Sequence, residues 1–594
     1  MADGTGRTLR RARARRPHTG PMGPVAERRW AWLPAQGSWS YHLLLAATGM
    51  LVLGPLAGVT AAYMNFSLGM FVGGQVLAGL LGSAVTAGYG ADGKHGANYI
   101  QTAAASVASM SAMGVLVQAM AWMGLPQPPA WKLIAYFACI GMFGVGVGML
   151  YTPILVDRLQ LAFPSGLAVA NILRALTDPL LLRRSLGRLG GGVAAGLATG
   201  LAGSRIAWLG NIQFSASTLG AGLVVGPRIG TAAIVGGLAG WLLQPFFVGI
   251  GWLAPGDPFR KITFLLALGL IMGAAAVDLA LIFWRALPNA RARAAAAPVP
   301  DDWRRVHRGR LWVWVVAWAA ATAAAGHVLL AQPLFFQLVA IALVFLFALV
   351  NGISVGISDS NPISSAFVVS VVVMALLGLA DAGVGLMAGA VLLISTSVAS
   401  DMQQDRSTGW RLGTPRTLQF RYQVLGVLMG AVLAIVFARL FLAAYPVLLQ
   451  DQTVLKAGEQ PAGWTSAMTY KFVGVLRSLT DDKPYQRTAI LIGVALGLAI
   501  EVARKWLKPR SFLVDAILLP SPYAVSFGGF VPLPTSLWFG GGGILAGLVQ
   551  ARAPKRSGVA EDMSSTSLFG GGLIAGDALA ALALGVAGLL ATVF

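Results

Sequence analysis

Apolar runs of about 20 residues recur along the whole chain, separated by short polar stretches; that is the helical length needed to cross a bilayer core of about 30 Å. Runs at 42–63, 67–89, 99–124, 132–153, 190–209, 261–286, 311–330, 333–352, 363–380, 382–400, 418–444, 487–503 and 567–593 each predict a membrane segment. Two others, 216–250 and 512–550, are too long for one span and predict hairpins or pairs of half-helices. Counting them both ways gives roughly 13 to 16 segments. The expected fold is therefore all-α, a polytopic transmembrane helical bundle with broken or re-entrant helices.

Composition removes the soluble alternatives. Of 594 residues, 56% are hydrophobic and only 11% charged, against roughly 25% charged in soluble domains. Seventy-five glycines suit close helix packing and interrupted helices. The net charge of +21 does not point to nucleic acid, because the basic residues crowd into the tail and short loops, as cytoplasmic segments require. Arg7, Arg10, Arg11, Arg13, Arg15 and Arg16 occupy a tail over 1–40 that lacks an apolar core before Trp30, so it reads as a cytoplasmic tail and not a cleaved signal peptide. Arg183, Arg184 and Arg188 mark one cytoplasmic loop, and Arg406, Arg411 and Arg416 another. Arg504, Lys505, Lys508 and Arg510 mark a third. The 446–486 stretch mixes both signs and reads as the one sizeable extracytoplasmic loop, with 465–478 as an interfacial helix. The expected location is the cell (plasma or inner) membrane. The lone cysteine, Cys139, and five scattered histidines show no metal-ligand spacing, so neither a metal site nor a cofactor is expected.

A basic, Ala/Pro-rich stretch at 287–310 reads as a cytoplasmic linker between an N-terminal half, 41–286, and a C-terminal half, 311–594. An internal repeat supports two related halves. Gly222, Val224, Pro227, Gly236, Leu238, Ala239 and Gly240 recur 307 residues later as Gly529, Val531, Pro534, Gly543, Leu545, Ala546 and Gly547. Both copies fall in the over-long segments, and paired Gly/Pro interruptions are a pointer to a transporter's binding site.

Polar clusters interrupt the apolar pattern at Asn98–Thr102, Phe163–Gly166, Asp359–Ser364 and Asp401–Gly409. Proline suits a first helical turn, and Ser or Asn beside it can cap free N–H groups. Within a membrane such a helix start offers donors and a positive dipole end to an anionic group; at the bilayer surface it is an ordinary cap. Asp401 and Asp405, four apart, share a helix face if that stretch is helical. Asp278, Asp359, Asp515 and Asp577 are the other carboxylates in or near apolar segments.

These clusters resemble, in order, motifs of the oligopeptide transporter superfamily, which includes the yellow-stripe-like metal-chelate carriers. The similar stretches are Asn98-Tyr99-Ile100-Gln101-Thr102-Ala103, Phe163-Pro164-Ser165-Gly166, Gly226-Pro227-Arg228-Ile229-Gly230, Asp359 to Ala366, Ser400 to Arg416, and Gly572 to Asp577. The resemblance implies proton-driven, alternating-access import of small peptides or peptide-like metal chelates, and no enzymatic activity. It makes Asn98, Gln101, Thr102, Ser165, Asn361, Ser364 and Gln404 the expected substrate-binding residues and Asp401 and Asp405 the expected proton-coupling pair. Pro164, Gly166, Gly226, Pro227, Pro362, Pro534 and Gly576 are the expected hinge or half-helix positions. The chain departs from the family pattern at Gly96 and Ala97, where many members are acidic, and at Ser407, where a Lys is usual. A membrane-embedded transferase and a channel are the alternatives, and monomer and homodimer are both open. An ATP-driven pump is excluded within this chain by the lack of a phosphate-binding Gly-x-x-x-x-Gly-Lys-Ser/Thr loop.

Overall fold

The computed structural model describes residues 32–593 apart from 70–73, 162, 176–178, 204–211, 295–301, 359–360, 362, 462, 481–483, 508–510 and 553–563. Among the described residues the chain is helical and contains no strand. First come α1 (Trp39–Ala47), α2 (Gly54–Ser67), α3 (Gly74–Thr86), α4 (Gly93–Ser111), α5 (Val115–Trp122), α6 (Ala130–Thr152) and α7 (Pro164–Ala175). Then follow α8 (Pro179–Gly203), α9 (Ala216–Val225), α10 (Pro227–Gly249) and α11 (Arg260–Ala294). The middle of the chain forms α12 (Arg308–Ala324), α13 (Leu334–Ser358), α14 (Ile363–Leu376), α15 (Ala382–Leu412), α16 (Arg416–Ala444) and α17 (Ala467–Thr480). It ends in α18 (Pro484–Leu507), α19 (Pro522–Phe530), α20 (Leu533–Arg552) and α21 (Ser565–Val593).

Ten helical stretches among the described residues are long and apolar enough to cross a membrane. That is fewer than the apolar runs of the sequence, because α9, α14 and α19 are each too short to span alone and α8 and α18 carry basic residues within the helix. Both over-long segments break into a short helix followed by a long one, α9 before α10 and α19 before α20. Helix α9 stops at Gly226, whose φ of +82° is open to glycine but strained for other residues. Pro227 then opens α10 at the position where its missing N–H costs nothing. In the second copy α19 ends at Val531, which is extended, and α20 carries Pro534 in its first turn.

Helices α8–α11 and α18–α21 interlock. Helix α8 lies along α21, α18 lies along α11, and the half-helices α9 and α10 pack on α20 and α19. Glycines permit these crossings: a Cβ on Gly269 would stand 2.1 Å from the Ile490 carbonyl oxygen, and one on Gly576 would stand 2.1 Å from that of Val193. The remaining helices form a second body centred on α4, α6, α15 and α16. It meets the interlocked layer chiefly where α2 and α16 pack on α21.

Two charge-based expectations change. Arg183, Arg184 and Arg188 belong to α8 and not to a loop. Arg406 is fully buried inside α15, and Arg416 opens α16 with its guanidinium bonded to both Asp157 carboxylate oxygens at 2.7 and 2.9 Å. The connection between those helices is only Gly413–Pro415, closed by a left-handed Gly413. The 465–478 stretch forms α17, a helix packed among neighbouring helices. Tyr470, Phe472, Val473 and Leu476 are buried against them, while Lys471, Gly474 and Arg477 stay partly open.

Candidate functional site

Two of the sequence clusters meet in space. Helix α4 carries Asn98, Gln101 and Thr102, all fully buried, and packs beside α15 and α16. The Gln101 amide donates to Asp405 Oδ1 at 2.6 Å, joining helices 304 residues apart in the chain. One turn earlier on α15, Asp401 accepts from the Ser109 hydroxyl of α4, so both carboxylates face the same neighbour. Asn98 donates to Thr414 Oγ1 at 3.2 Å, and His95 shares that hydroxyl at 3.0 Å. Helix α16 closes the seam with Gln419, which reaches Thr102 Oγ1 at 3.1 Å and the Asp405 carbonyl at 2.7 Å. Arg406 turns the other way, to the Arg416 carbonyl and Gln423 Oε1.

The seam and its surroundings hold acceptors that the protein leaves open. Asn98 Oδ1, Gln101 Oε1, Ser400 Oγ and Gln403 Oε1 are buried without a hydrogen bond from the described residues. Buried polar atoms are normally paired, because each orphan costs roughly 1–3 kcal/mol. Gln403 faces α6, its amide donating to the Gly148 carbonyl at 2.6 Å, whereas the orphans of Asn98 and Gln101 stand on the seam itself. Gln404, partly on the same surface, is buried next to Gly166 of α7, whose Cβ position stands 2.6 Å from the Gln404 carbonyl oxygen. The Thr408 hydroxyl donates to the Gly166 carbonyl at 2.9 Å. Pro164 opens α7 with Ser165 in its first turn, after Phe163 in a left-handed conformation with φ +42°. Helix α7 thus begins against the seam, and the Phe163–Gly166 motif joins it.

Other sequence candidates stand apart. Asn361 lies before α14 with its Oδ1 buried and unpartnered, while Asp359, Pro362 and the side chain of Ser364 fall outside the described residues. Gly226, Pro227 and Pro534 form the breaks of the interlocked layer, and Gly576 is at a helix crossing. Asp278 pairs with Lys505 at 2.8 Å and accepts from Tyr523. Asp515 bridges Arg228 and Arg504, each at 2.8 Å. Neither is an unpaired membrane carboxylate. The departures from the motif pattern have local causes. A Cβ on Gly96 would stand 2.7 Å from the Tyr41 hydroxyl, so an acidic side chain there would have to displace Tyr41, and the buried Ser407 accepts from Arg411.

A sequence profile described as OPT oligopeptide transporter protein matches residues 43–587, covering the seam, both breaks and the C-terminal glycine crossing. The chain belongs to the oligopeptide transporter family. Among curated proteins, none matches the chain. As a member of that family it is a multi-pass membrane transporter, and the polar seam lies inside the matched region. Among the described residues no group of three or more His, Cys, Asp or Glu side chains is placed to hold a metal ion.

Within this oligopeptide transporter family member a second carboxylate is placed at the junction of body and interlocked layer. Asp577 of α21 accepts from the Ser217 backbone N–H of α9 at 3.0 Å and from the Tyr63 hydroxyl of α2 at 3.1 Å. It therefore satisfies a donor at the start of a half-helix, alongside the Ser215 cap, and favours the positive dipole end there. Tyr63 also packs against Phe441 and Trp464, and Tyr445 donates to the Ala581 carbonyl of α21. Burial first, and the Asp577 charge second, push the Tyr445 phenol up to about 12, keeping it a neutral donor. The sequence motif Gly572–Asp577 points to a packing or gate role for Asp577, but the sequence reading does not single out Thr414, Gln419 and Gln423. The signal for Gln419 and Gln423 was their four-residue spacing on a long apolar span, where amides are costly and face protein.

Proposed function

We propose that this transporter imports small peptides or peptide-like metal chelates, driven by protons, through alternating access. The observation that carries this reading is the Gln101–Asp405 pair between α4 and α15, with open acceptors on Asn98 and Gln101 beside it. An ionisable group inside a membrane bundle is costly, and its default role is on an ion or substrate path. Asp401 one turn away gives a second carboxylate, so a proton can be held on either group while the helices stay in contact. Asn98, Gln101, Thr102 and Gln404 supply the polar surface for substrate, with Ser165 entering from α7. The 307-residue spacing and the matched breaks support two related halves, 41–286 and 311–594, that rock about the glycine crossings. The basic tail supports a cytoplasmic N-terminus and residence in the plasma or inner membrane.

The test is uptake into proteoliposomes of the purified full chain, under an imposed inward proton gradient. Labelled trialanine and the ferric complex of a polycarboxylate chelator serve as probes. Wild type should accumulate at least one of them above equilibrium. Asp405→Asn should abolish accumulation while preserving exchange of labelled for unlabelled substrate. Gradient-driven accumulation by Asp405→Asn at the wild-type level would remove Asp405 from coupling, and an ohmic current with no saturable uptake would favour a channel.

A further inference from the structure

The carboxylates Asp257, Asp278, Glu501 and Asp515 of the interlocked layer and Asp451 of the 446–466 connection are all ion-paired, whereas Lys471 of α17, which faces that layer, has no anionic partner among the described residues. Asp257 pairs with Lys261 and Asp451 with Arg477. Asp278 and Glu501 share Lys505, and Asp515 holds Arg228 and Arg504. Buried Arg260 lacks a carboxylate but donates to Gln452 Oε1, to Gln460 and to the Thr465 carbonyl, and stacks at 4.5 Å on the Tyr470 ring. Lys471, the next residue of α17, has none of these. Its ammonium lies 3.8 Å from the centre of the Phe530 ring, and no carboxylate or carbonyl of the described residues accepts from it.

The position of Lys471 is as telling as its lack of an anion. Helix α17 packs on α2, α5, α14 and α15 of the body. Phe530 is the last residue of α19, at the break that precedes α20 in the interlocked layer. Lys471 therefore crosses the junction between the two parts of the molecule, at the interrupted end of a half-helix. Tyr470 and Phe472 on either side of it are buried, while Lys471 keeps part of its surface open. The aromatic face attracts a cation there through its ring quadrupole. It leaves the three N–H donors of the ammonium without acceptors among the described residues. An ammonium held this way is ready for a charge-assisted bond to an oxyanion, about twice as strong as a neutral one.

We propose that Lys471 binds a carboxylate group of the transported substrate, with the Phe530 ring flanking that end of the ligand. The assignment rests on the transport reading above and names the end of the substrate that this junction recognises. Both substrate classes carry such a group: the C-terminus of a peptide, or an acid arm of an amino-acid-like chelator. The contact spans body and interlocked layer, so it forms only in states that bring the two together.

The experiment uses the full chain in proteoliposomes and the probe wild type accumulates, trialanine or the ferric polycarboxylate complex. Each is compared with an analogue in which one carboxylate is an amide. Wild type should take up the acid with a KM at least tenfold below that of the amide. Lys471→Gln should raise the KM for the acid about tenfold, change the maximal rate by less than about threefold, and leave the amide's KM unchanged. Lys471→Arg should restore most of the acid preference. Equal wild-type KM values for acid and amide overturn the proposal without any variant, and so does a Lys471→Gln protein that penalises both alike. Wild-type protein that accumulates neither probe overturns the transport reading itself, which separates the two failures. Size-exclusion profiles and thermal midpoints in detergent show that the variants are folded, and the acid–amide comparison on wild type decides the matter if they are not.

Discussion

The interlocked layer contains the same helix crossing twice, and the two copies differ at one decisive position. The 307-residue spacing that relates the broken segments also relates Leu266, Gly269 and Leu270 of α11 to Leu573, Gly576 and Asp577 of α21. The partner helices follow suit. A Cβ on Gly493 would stand 2.2 Å from the Leu266 carbonyl oxygen, and one on Gly196 would stand 2.3 Å from that of Leu573. Backbone geometry is thus repeated, but the first crossing has Leu270 where the second has Asp577. The first is apolar at that point. The second sends a carboxylate to the start of α9 and to Tyr63 on the body. Shared glycines hold each copy together, and the acid gives only the second a carboxylate link to the body at the crossing itself.

The largest expected effect tests what the copies share. Gly493→Leu and Gly196→Leu each drive a side chain into a backbone carbonyl of the facing helix. Each should cost roughly 3 kcal/mol, at the upper end for overpacking. Detergent-purified protein should lose its monodisperse peak or its thermal transition in both cases. A large loss in one variant alone would break the equivalence of the crossings.

The exchange of the differing residue comes next. Leu270→Asp places a carboxylate in the apolar copy, and an unpaired buried charge should destabilise by about 3 kcal/mol or more. Asp577→Leu should cost less, about 1–2 kcal/mol, the range for losing an acceptor at a helix start. It should nevertheless reduce uptake at least tenfold, because the link to α2 is gone. The check is thermal unfolding and proteoliposome uptake on both proteins. A folded Asp577→Leu chain with full uptake would reduce the polar copy to a packing variant.

Much of this contrast was open to sequence reading, and the boundary is instructive. The breaks at Gly226–Pro227 and ahead of Pro534 were legible because glycine and proline act locally on φ and on the N–H supply. The clusters at Asn98–Thr102 and Asp401–Asp405 were legible because polar side chains inside apolar runs are costly. What joins them was not: the Gln101–Asp405 bond spans 304 positions, and no local rule specifies a pairing over that distance. Charge was the least dependable guide. Arg406 and Arg416 read as loop markers, yet both lie in the interior, Arg406 on the Gln423 amide oxygen and a backbone carbonyl and Arg416 on Asp157. Lys471 was hidden for a related reason, inside a mixed-charge stretch whose 465–478 part reads as an interfacial helix.

The smallest effect sharpens the comparison most. Tyr63→Phe removes one of the two hydrogen bonds to Asp577 and leaves the Ser217 N–H, the half-helix and the ring packing on Phe441 and Trp464 in place. The net loss should be about 0.5–1 kcal/mol, the low end for a single intramolecular hydrogen bond, because Ser217 still donates. If Asp577 serves only to cap α9, uptake by Tyr63→Phe should follow wild type once protein amounts are equalised. If the acid couples the layers, uptake should fall severalfold while the thermal midpoint moves by only a few degrees. Combining Tyr63→Phe with Asp577→Leu then separates the two roles. Residues acting through one bond give a double variant no worse than Asp577→Leu alone, whereas independent roles give losses that add.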